Sequence, residues 1–507
     1  MSGRLKKIIL MILAVVLITG AGTLQKSLNH DRDTLGLTHV EGLTNAPPIL
    51  AFTTVALGGF RGLISNLLWT RANQLQEDDK YFEMAQLSDW ITKLEPHFSQ
   101  VWVHEAWNMA YNISVKFKDF PDRWRWVQNG IELLRDEGLK YNPDDVLIHR
   151  ELAWFFQHKM GANIDDASMY YKQQWKTNME QVLGGKAPNY EALLHPKTAD
   201  ETNRVRLLRE KYKMDPELMK KIDDEYGPLE WRLPEASAIY WAAEGLKRAA
   251  ENPTRIGTSP TEELIVLRRV IYQCMQLSWQ RGRIVDNPYV TDLEFGPNLE
   301  MIPKVNDTYL KMFEEEKDPA QRDGIQTAQR NFLRQAVYSL YVYNHMKDAA
   351  YWFKYLGEKY PDKPIIDADP NSYPKNVTLD QYAVAWVQED INETSADRVK
   401  AILEGMLTTS YLSFVIDNDD YGYGMRVLAQ QAWQKYMNSI SASRVSAIGL
   451  PPFKDIDVTV RTRLLNPTNG LPPEAAAILR TKFNLPVEKT PPTVPQEQSA
   501  APQGKTP

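Results

Sequence analysis

Only one cysteine, Cys274, occurs in the 507 residues. An intrachain disulfide is therefore impossible, and CxxC zinc, haem-attachment and redox motifs are excluded. Cys274 lies in the apolar run Val270-Ile271-Tyr272-Gln273-Cys274-Met275, where a small buried hydrophobe is expected. A basic stripe is also missing. The 59 basic and 65 acidic residues are interspersed, with a net charge of -6, so no nucleic-acid partner is expected. Mean hydropathy of -0.45 argues against a polytopic membrane protein. HExxH, P-loop and GxSxG motifs do not occur, nor does GxGxxG in a strand-turn-helix setting. No metal and no cofactor is expected. The eight histidines are scattered: His97 and His104 sit near a loop and the next helix, His149 and His158 on different faces of one helix.

Long apolar runs are nearly absent beyond the N-terminus. There Arg4, Lys6 and Lys7 precede the run from Ile8 to Ile18, which softens through Thr19-Gly20-Ala21. A basic flank before apolar residues marks a signal peptide or signal anchor. The small-residue cleavage site is poor, so residues 1–24 are expected to be an uncleaved transmembrane helix. The basic flank stays inside, which places the bulk of the chain outside. In a bacterium this means a single-pass inner-membrane protein facing the periplasm. Residues 25–48 form a polar stalk. The next apolar stretch, Ile49 to Trp69, contains Arg61 and glycines; burying Arg61 in a bilayer costs a few kcal/mol, so a soluble core helix is expected.

From about residue 50 to 485 the periodicity is helical almost everywhere, and strand-like alternation is scarce. The expected fold is all-α. Ser259-Pro260-Thr261-Glu262 reads as a capping box with Pro at the first helical position, and Thr378 with Gln381 as another. Asn142-Pro143-Asp144-Asp145 reads as a cap with acids at the positive helix end. Helices are expected over 144–160, 234–250 and 327–346. The domains follow: a helical block over 49–183, a charged insertion with short helices over 184–233, and a second helical block over 234–486. Loop-rich stretches are expected at 284–305 and 361–377. The tail 487–507 is mostly Pro, Gln, Thr and Ala and cannot supply a core.

One pattern recurs. Small Ala349 is followed by Phe353, and Pro361 ends that helix; Ala336 and Leu340 lie on the helix before it. In the N-terminal block Leu68, Ala72 and Leu75 precede the turn Asp79-Lys80-Tyr81, and the second helix runs to Pro96. Gly138 then precedes Pro143, and Ala153 with Phe156 begins the next unit. This pattern resembles a degenerate tetratricopeptide repeat over part of 49–183 and over 327–361. The resemblance implies stacked antiparallel helical hairpins, a TPR-like α-solenoid. Small residues would let helices approach, an aromatic would fill the gap to the next pair, and Pro would end the second helix. It also implies a protein or peptide partner held on a concave face. Ala56-Leu57-Gly58-Gly59-Phe60-Arg61-Gly62 and Trp107-Asn108-Met109-Ala110-Tyr111-Asn112 are similar to runs in uncharacterised membrane-anchored bacterial proteins.

The expected role is a membrane-anchored scaffold binding other envelope proteins, with no catalytic residue. Arg123-Trp124-Arg125-Trp126 is a candidate partner-binding patch, against the alternative of an amphipathic helix start with its arginines in solvent. Trp102, Trp107, Trp154 and Trp241 are expected in the core. Asp417-Asn418-Asp419-Asp420 reads as an interhelical turn, because Tyr421 and Leu428 stand where a calcium loop needs oxygen ligands. Two other readings remain. One is an (α/α)-toroid acting on polysaccharide, which needs two carboxylates about 5–9.5 Å apart; Glu105, Asp122 and Glu151 are candidates. The other is a structural subunit of a secretion or pilus assembly.

Overall fold

The computed structural model describes residues 17, 19–20, 23–28, 30–31, 60–252, 260–285, 293–367, 369–389, 396–439 and 450–486. It is predominantly helical, with two short strands. Most of the expected anchor, the stalk, Ser259 of the first capping box and the tail 487–507 lie outside the described residues. Among the described residues no helix is long and apolar enough to cross a membrane.

The chain divides into two compact units: Met1–Val285 with Asp292–Thr308, and Asp286–Thr291 with Tyr309–Pro507. The first opens with α1 (Phe60–Glu77) and α2 (Tyr81–Leu94). Helix α3 (Ser99–Trp107) runs on into a π-helical segment, Asn108–Ile113. Helix α4 (Phe120–Glu132) does the same through Leu133–Gly138, and α5 (Val146–Trp154) through Phe155–Gly161. Helix α6 (Ser168–Leu183) precedes three short helices, α7 (Tyr190–Leu194), α8 (Ala199–Glu210) and α9 (Pro216–Tyr226). Helices α10 (Pro234–Glu251) and α11 (Pro260–Arg281) follow. Strands β1 (Arg283–Val285) and β2 (Glu294–Gly296) pair antiparallel, and α12 (Ile302–Glu315) comes next. The second unit contains α13 (Pro319–Val342), α14 (Met346–Lys359), α15 (Leu379–Glu389), α16 (Ala396–Val415), α17 (Asp419–Ser439), α18 (Phe453–Leu464) and α19 (Pro473–Lys482).

Three helical hairpins share one turn. Helices α1 and α2, α13 and α14, and α16 and α17 pack as pairs, each joined by three residues. The central residue is left-handed in every case: Asp79 at φ 58°, Asn344 at φ 60° and Asp417 at φ 57°. The amide after it donates back five residues, Lys80 to Leu75, His345 to Leu340 and Asn418 to Ser413, at 2.8, 2.8 and 2.9 Å. This is the Schellman arrangement, which satisfies carbonyls orphaned at a helix end. Short Asn and Asp tolerate the left-handed region better than other non-glycine residues. Asn344→Val is therefore expected to destabilise the protein by about 1–2 kcal/mol. Asn344→Gly should change it by only a few tenths. Urea titration of both variants checks this; equal effects would mean that backbone conformation does not limit the residue there.

Two helices of the first unit approach closely at Gly130 of α4. A Cβ there would lie 2.8 Å from the Ala106 carbonyl of α3 and 3.3 Å from the Phe155 ring. Glycine lets the helices meet over a core of Ala106, Ala110, Val127, Ile131 and Phe155, all buried.

The residues of the repeat pattern fall at contacts and turns. Ala72, Ala153, Phe156, Ala336 and Ala349 are buried. Gly138 faces Ile148. Phe353 lies against Tyr382 of α15, with ring centroids 5.7 Å apart. Helix α14 stops at Lys359, just before the exposed Pro361. Pro96 presents its carbonyl to Trp102 Nε1 at 2.9 Å and to Asn142 Nδ2 at 2.8 Å. Pro143 is exposed in the turn before α5.

Several expectations are corrected. Asn142 does not cap α5. Its side chain is taken by the Pro96 and Gly138 carbonyls, and Asp145 accepts from Ile148 N instead. The helix expected at 327–346 begins at Pro319, capped by Asp318, and ends at Val342 in the left-handed turn. Residues 284–305, read as loop, contribute to β1 and β2. Thr378 and Gln381 form the reciprocal box, at 3.0 and 3.2 Å.

The first unit buries charge around the loop 162–167. Asp165 Oδ1 accepts from Arg123 Nη1 and Ala167 N, both at 2.9 Å. Its Oδ2 accepts from Lys159 Nζ at 2.6 Å and Tyr171 Oη at 3.2 Å. Close by, Arg281 Nη2 donates to Glu235 Oε1 and to the Gly161 carbonyl, each at 2.8 Å, and Lys172 Nζ donates to Asn163 Oδ1 at 2.9 Å. Lys159, Lys172 and Glu235 are each 2% exposed.

Candidate functional site

Helix α3 has two faces. Val101, Trp102, Glu105 and Ala106 point into the core. Gln100, His104 and Trp107, spaced four and three residues apart, lie on the opposite side and line a groove. Side chains at these spacings share one helix face. The groove encloses about 410 Å³. Trp69 and Gln76 of α1 form one wall. Gln100, Val103, His104 and Trp107 of α3, with Asn108 and Asn112 of its π-helical continuation, form the floor, and Leu147 of α5 closes the other side.

Trp107 was expected in the core. It is 41% exposed, because it shares a face with Gln100 and not with Trp102. Trp102 and Trp241 are buried, while Trp154 is half-buried. Trp107 stacks on Tyr111 at 4.4 Å and 17°. Tyr111 shares a hydrogen bond of 3.2 Å with His158 Nδ1, and His158 stacks on Trp154 at 4.5 Å and 14°. The aromatic strip thus continues from α3 onto α5. Beneath it the Lys159 ammonium sits 5.0 Å from the centre of the Tyr111 ring, a cation–π contact.

The polar groups of the groove are carboxamides and one imidazole. His104 Nε2 is 3.2 Å from Gln76 Oε1, and the Trp69 ring meets the imidazole edge at 4.9 Å. Burial lowers the His104 pKa, so the ring is neutral at pH 7. An Nε2–H donating to Gln76 leaves Nδ1 as a lone-pair acceptor, and Nδ1 is buried with no partner among the described residues. Asn112 Nδ2 donates to Asn108 Oδ1, and Asn108 Nδ2 to the Tyr81 carbonyl, both at 3.3 Å. Among the described residues that line the groove, none carries an ionised side chain.

Beyond Trp69 a neighbouring cleft of about 500 Å³ is lined by Ser65, Asn66, Glu95, His97 and Phe98. A separate cleft of about 350 Å³ contains Arg135, Lys140, His149, Trp241 and Arg248. Its guanidinium groups are matched in place: Arg135 by Asp136 in a two-pronged pair at 2.7 Å, and Arg248 by Glu244 at 2.7 Å.

The patch Arg123-Trp124-Arg125-Trp126 is not one surface. Arg123 turns inward to Asp165, and Trp124 is buried. Trp126 stacks on Phe117 at 6.2 Å. Arg125 alone extends into solvent, paired with Asp122 at 3.2 Å. Helical rotation separates the two arginines, so the reading with both in solvent is corrected as well. The carboxylates weighed for a toroid have separate surroundings. Glu105 is buried between α3 and α2 beside Ser88, without a hydrogen bond of good geometry. Asp122 pairs with Arg125, and Glu151 with Arg150. Asp417 and Asp419 both contact Lys482 Nζ, at 2.7 and 2.6 Å. Among the described residues no group of three His, Cys, Asp or Glu side chains could hold a metal ion.

No protein-family model, curated protein or solved structure matches this chain.

Proposed function

We propose that the protein is a membrane-anchored, TPR-like scaffold that holds a segment of a partner protein in the groove between α1, α3 and α5. The observation that carries this reading is the groove itself: two tryptophans and four carboxamides on a rigid helical frame. Flat aromatic rings supply contact area with little loss of side-chain freedom, and amides supply hydrogen bonds. The recurring Schellman hairpins support a TPR-like α-solenoid. The basic flank and apolar run of residues 1–24 support an inner-membrane anchor with the bulk of the chain on the periplasmic side. An envelope protein is then the partner.

The test uses the full-length protein in native membranes. A photoreactive side chain is placed at Gln100, in the groove, or at Glu83, exposed on α2. A small, reproducible set of protein adducts is expected from position 100 and not from 83. Trp107→Ala should reduce the adduct yield about tenfold or more, as loss of an aromatic anchor does. Identical adducts from both positions, or none from position 100, would overturn the proposal.

A further inference from the structure

We infer that the cleft of about 350 Å³ in the first unit binds a phosphate group accompanied by an O–H, as in hydrogen phosphate or the phosphate monoester of a small polyol. The site is separate from the groove between α1, α3 and α5 and does not depend on the scaffold reading.

Three groups that the fold leaves unmatched point to this ligand. The first is His149 of α5. Its Nδ1 lies 2.8 Å from the Asp145 carbonyl. A carbonyl only accepts, so Nδ1 carries the proton and Nε2 a lone pair. Burial lowers the pKa and keeps this neutral form. The residue is 2% exposed. Gly245 of α10 packs on it so closely that an added Cβ would lie 2.8 Å from the His149 Cβ. Because Nδ1 turns back to its own helix, Nε2 lies on the far side of the ring, and His149 lines the cleft. Nε2 has no hydrogen-bond partner among the described residues, and a buried acceptor requires a donor.

The second group is Lys213, in the turn after α8. Its φ of 53° is left-handed. The other described non-glycine residues at positive φ are Asp79, Asn344, Asp417 and Asn484. Their short side chains can hydrogen-bond locally in that conformation, whereas lysine gains nothing there from its backbone. Strained residues of this kind gather at ligand sites. Lys213 lines the cleft and is paired with no carboxylate among the described residues. The third group is Arg135, in the π-helical segment after α4. Its Nε and Nη2 hold Asp136, both at 2.7 Å, and leave Nη1 without a partner among the described residues. The side chain is 6% exposed, so the guanidinium is fixed in place.

The balance of charge favours a dianion. Arg135, Lys140, Lys213 and Arg248 line the cleft with only two carboxylates, Asp136 and Glu244. Both carboxylates are held by guanidinium groups. At the rim Glu137 lies 3.4 Å from Lys140, and Asp144 lies 3.7 Å from Arg248; neither is paired with Lys213. A phosphate monoester carries a charge of about -1.5 to -2 at neutral pH, and guanidinium and ammonium groups both suit its oxygens. A bare oxyanion presents acceptors alone and would set an oxygen against the His149 lone pair. The ligand therefore brings an O–H with its phosphate oxygens. Leu139, Pro143 and Trp241 give the cleft an apolar wall for a carbon skeleton.

The test is isothermal titration calorimetry of the full-length protein in detergent at pH 8. There a phosphate monoester is a dianion, since its second pKa is about 6, and His149 is neutral. Glycerol 3-phosphate is expected to bind at millimolar concentration or below. Methyl phosphate and sulfate, which have no O–H at this pH, should bind about tenfold more weakly, because His149 Nε2 stays unpaired. Lys213→Asn should weaken glycerol 3-phosphate binding about tenfold. Its midpoint of urea unfolding should not fall, because asparagine suits the left-handed turn. Lys213→Arg should keep most of the binding. Lys211→Asn, exposed and outside the lining, should leave it unchanged. Inorganic phosphate still carries one O–H at pH 8 and separates the sources: binding as tight as that of glycerol 3-phosphate supports the site with the free ion as its ligand, and weaker binding supports it with the ester. No binding of either one would overturn the inference. So would equal binding of sulfate or methyl phosphate, or an unchanged Kd in Lys213→Asn.

Discussion

Replacing Asp165 with alanine is expected to lower the unfolding free energy by about 3–5 kcal/mol. The carboxylate is 9% exposed and sits between two cations, Arg123 and Lys159. Burial alone would push its pKa up. The hydrogen bonds from Lys159, the Ala167 amide and Tyr171 outweigh burial and hold it below the usual carboxylate range. Removing the anion leaves Lys159, itself 2% exposed, as an uncompensated charge beneath the Tyr111 ring. Breaking one side of a buried pair costs more than exchanging the whole pair for apolar groups. Lys159→Met combined with Asp165→Ala should therefore be less destabilising than Asp165→Ala alone. Equilibrium urea unfolding of the two variants decides this. A loss under about 1 kcal/mol for Asp165→Ala would mean that the ions do not hold the loop.

Glu105→Gln is expected to stabilise the protein above pH 8 by about 3 kcal/mol and to have little effect near pH 4. Glu105 is 2% exposed. Burial raises its pKa from the ordinary 4.5 to about 7; Ser88 works against the rise and Asp89 adds to it. Between these two values the folded state holds a proton that the unfolded chain has released. Stability therefore falls as pH rises through this window, and above it the full penalty persists. The difference between 4.5 and about 7 corresponds to about 3 kcal/mol at 1.36 kcal/mol per pH unit. Glutamine keeps the shape and removes the ionisation. His149, whose pKa burial lowers, opposes this trend because its neutral form is the one favoured in the fold. The measurement is thus the difference between wild type and variant across pH 4–9. Parallel curves would show that Glu105 does not carry the penalty.

Capping and periodicity are local, and they were legible in the sequence. Thr378 and Gln381 met as the spacing required, because both partners lie within one turn. Asn142 did not cap, because the Pro96 carbonyl, distant in sequence, competes for the same amide. Pro319 opens α13 at its first turn; the start was placed late because the first two turns of α13 are largely polar and lack an apolar stripe. Asp79 and Asp417 were readable as turn residues, whereas Asn344 lay inside the helix expected over 327–346; the shared left-handed turn emerges from matching hydrogen bonds. The three π-helical segments left no mark in composition.

The groove was half legible. Gln100, His104 and Trp107 have the spacing of one helix face, and that spacing is a property of the chain. Which face of α3 met the core was not. Val101, Trp102 and Ala106 turned inward because α4 approaches at Gly130, and the opposite face was left to α1 and α5. The same logic divided Arg123 from Arg125.

By itself, then, the sequence determined a predominantly helical chain, two of its three matching hairpin turns and the exclusion of an intrachain disulfide. Each of these depends on residues within a few positions of one another. Tertiary structure alone decided which tryptophan faces solvent, which acid is buried beside a neutral serine, and which neutral side chains gather in one groove. Those outcomes depend on contacts between helices distant in sequence, where burial and close packing, not local preference, set the free energy.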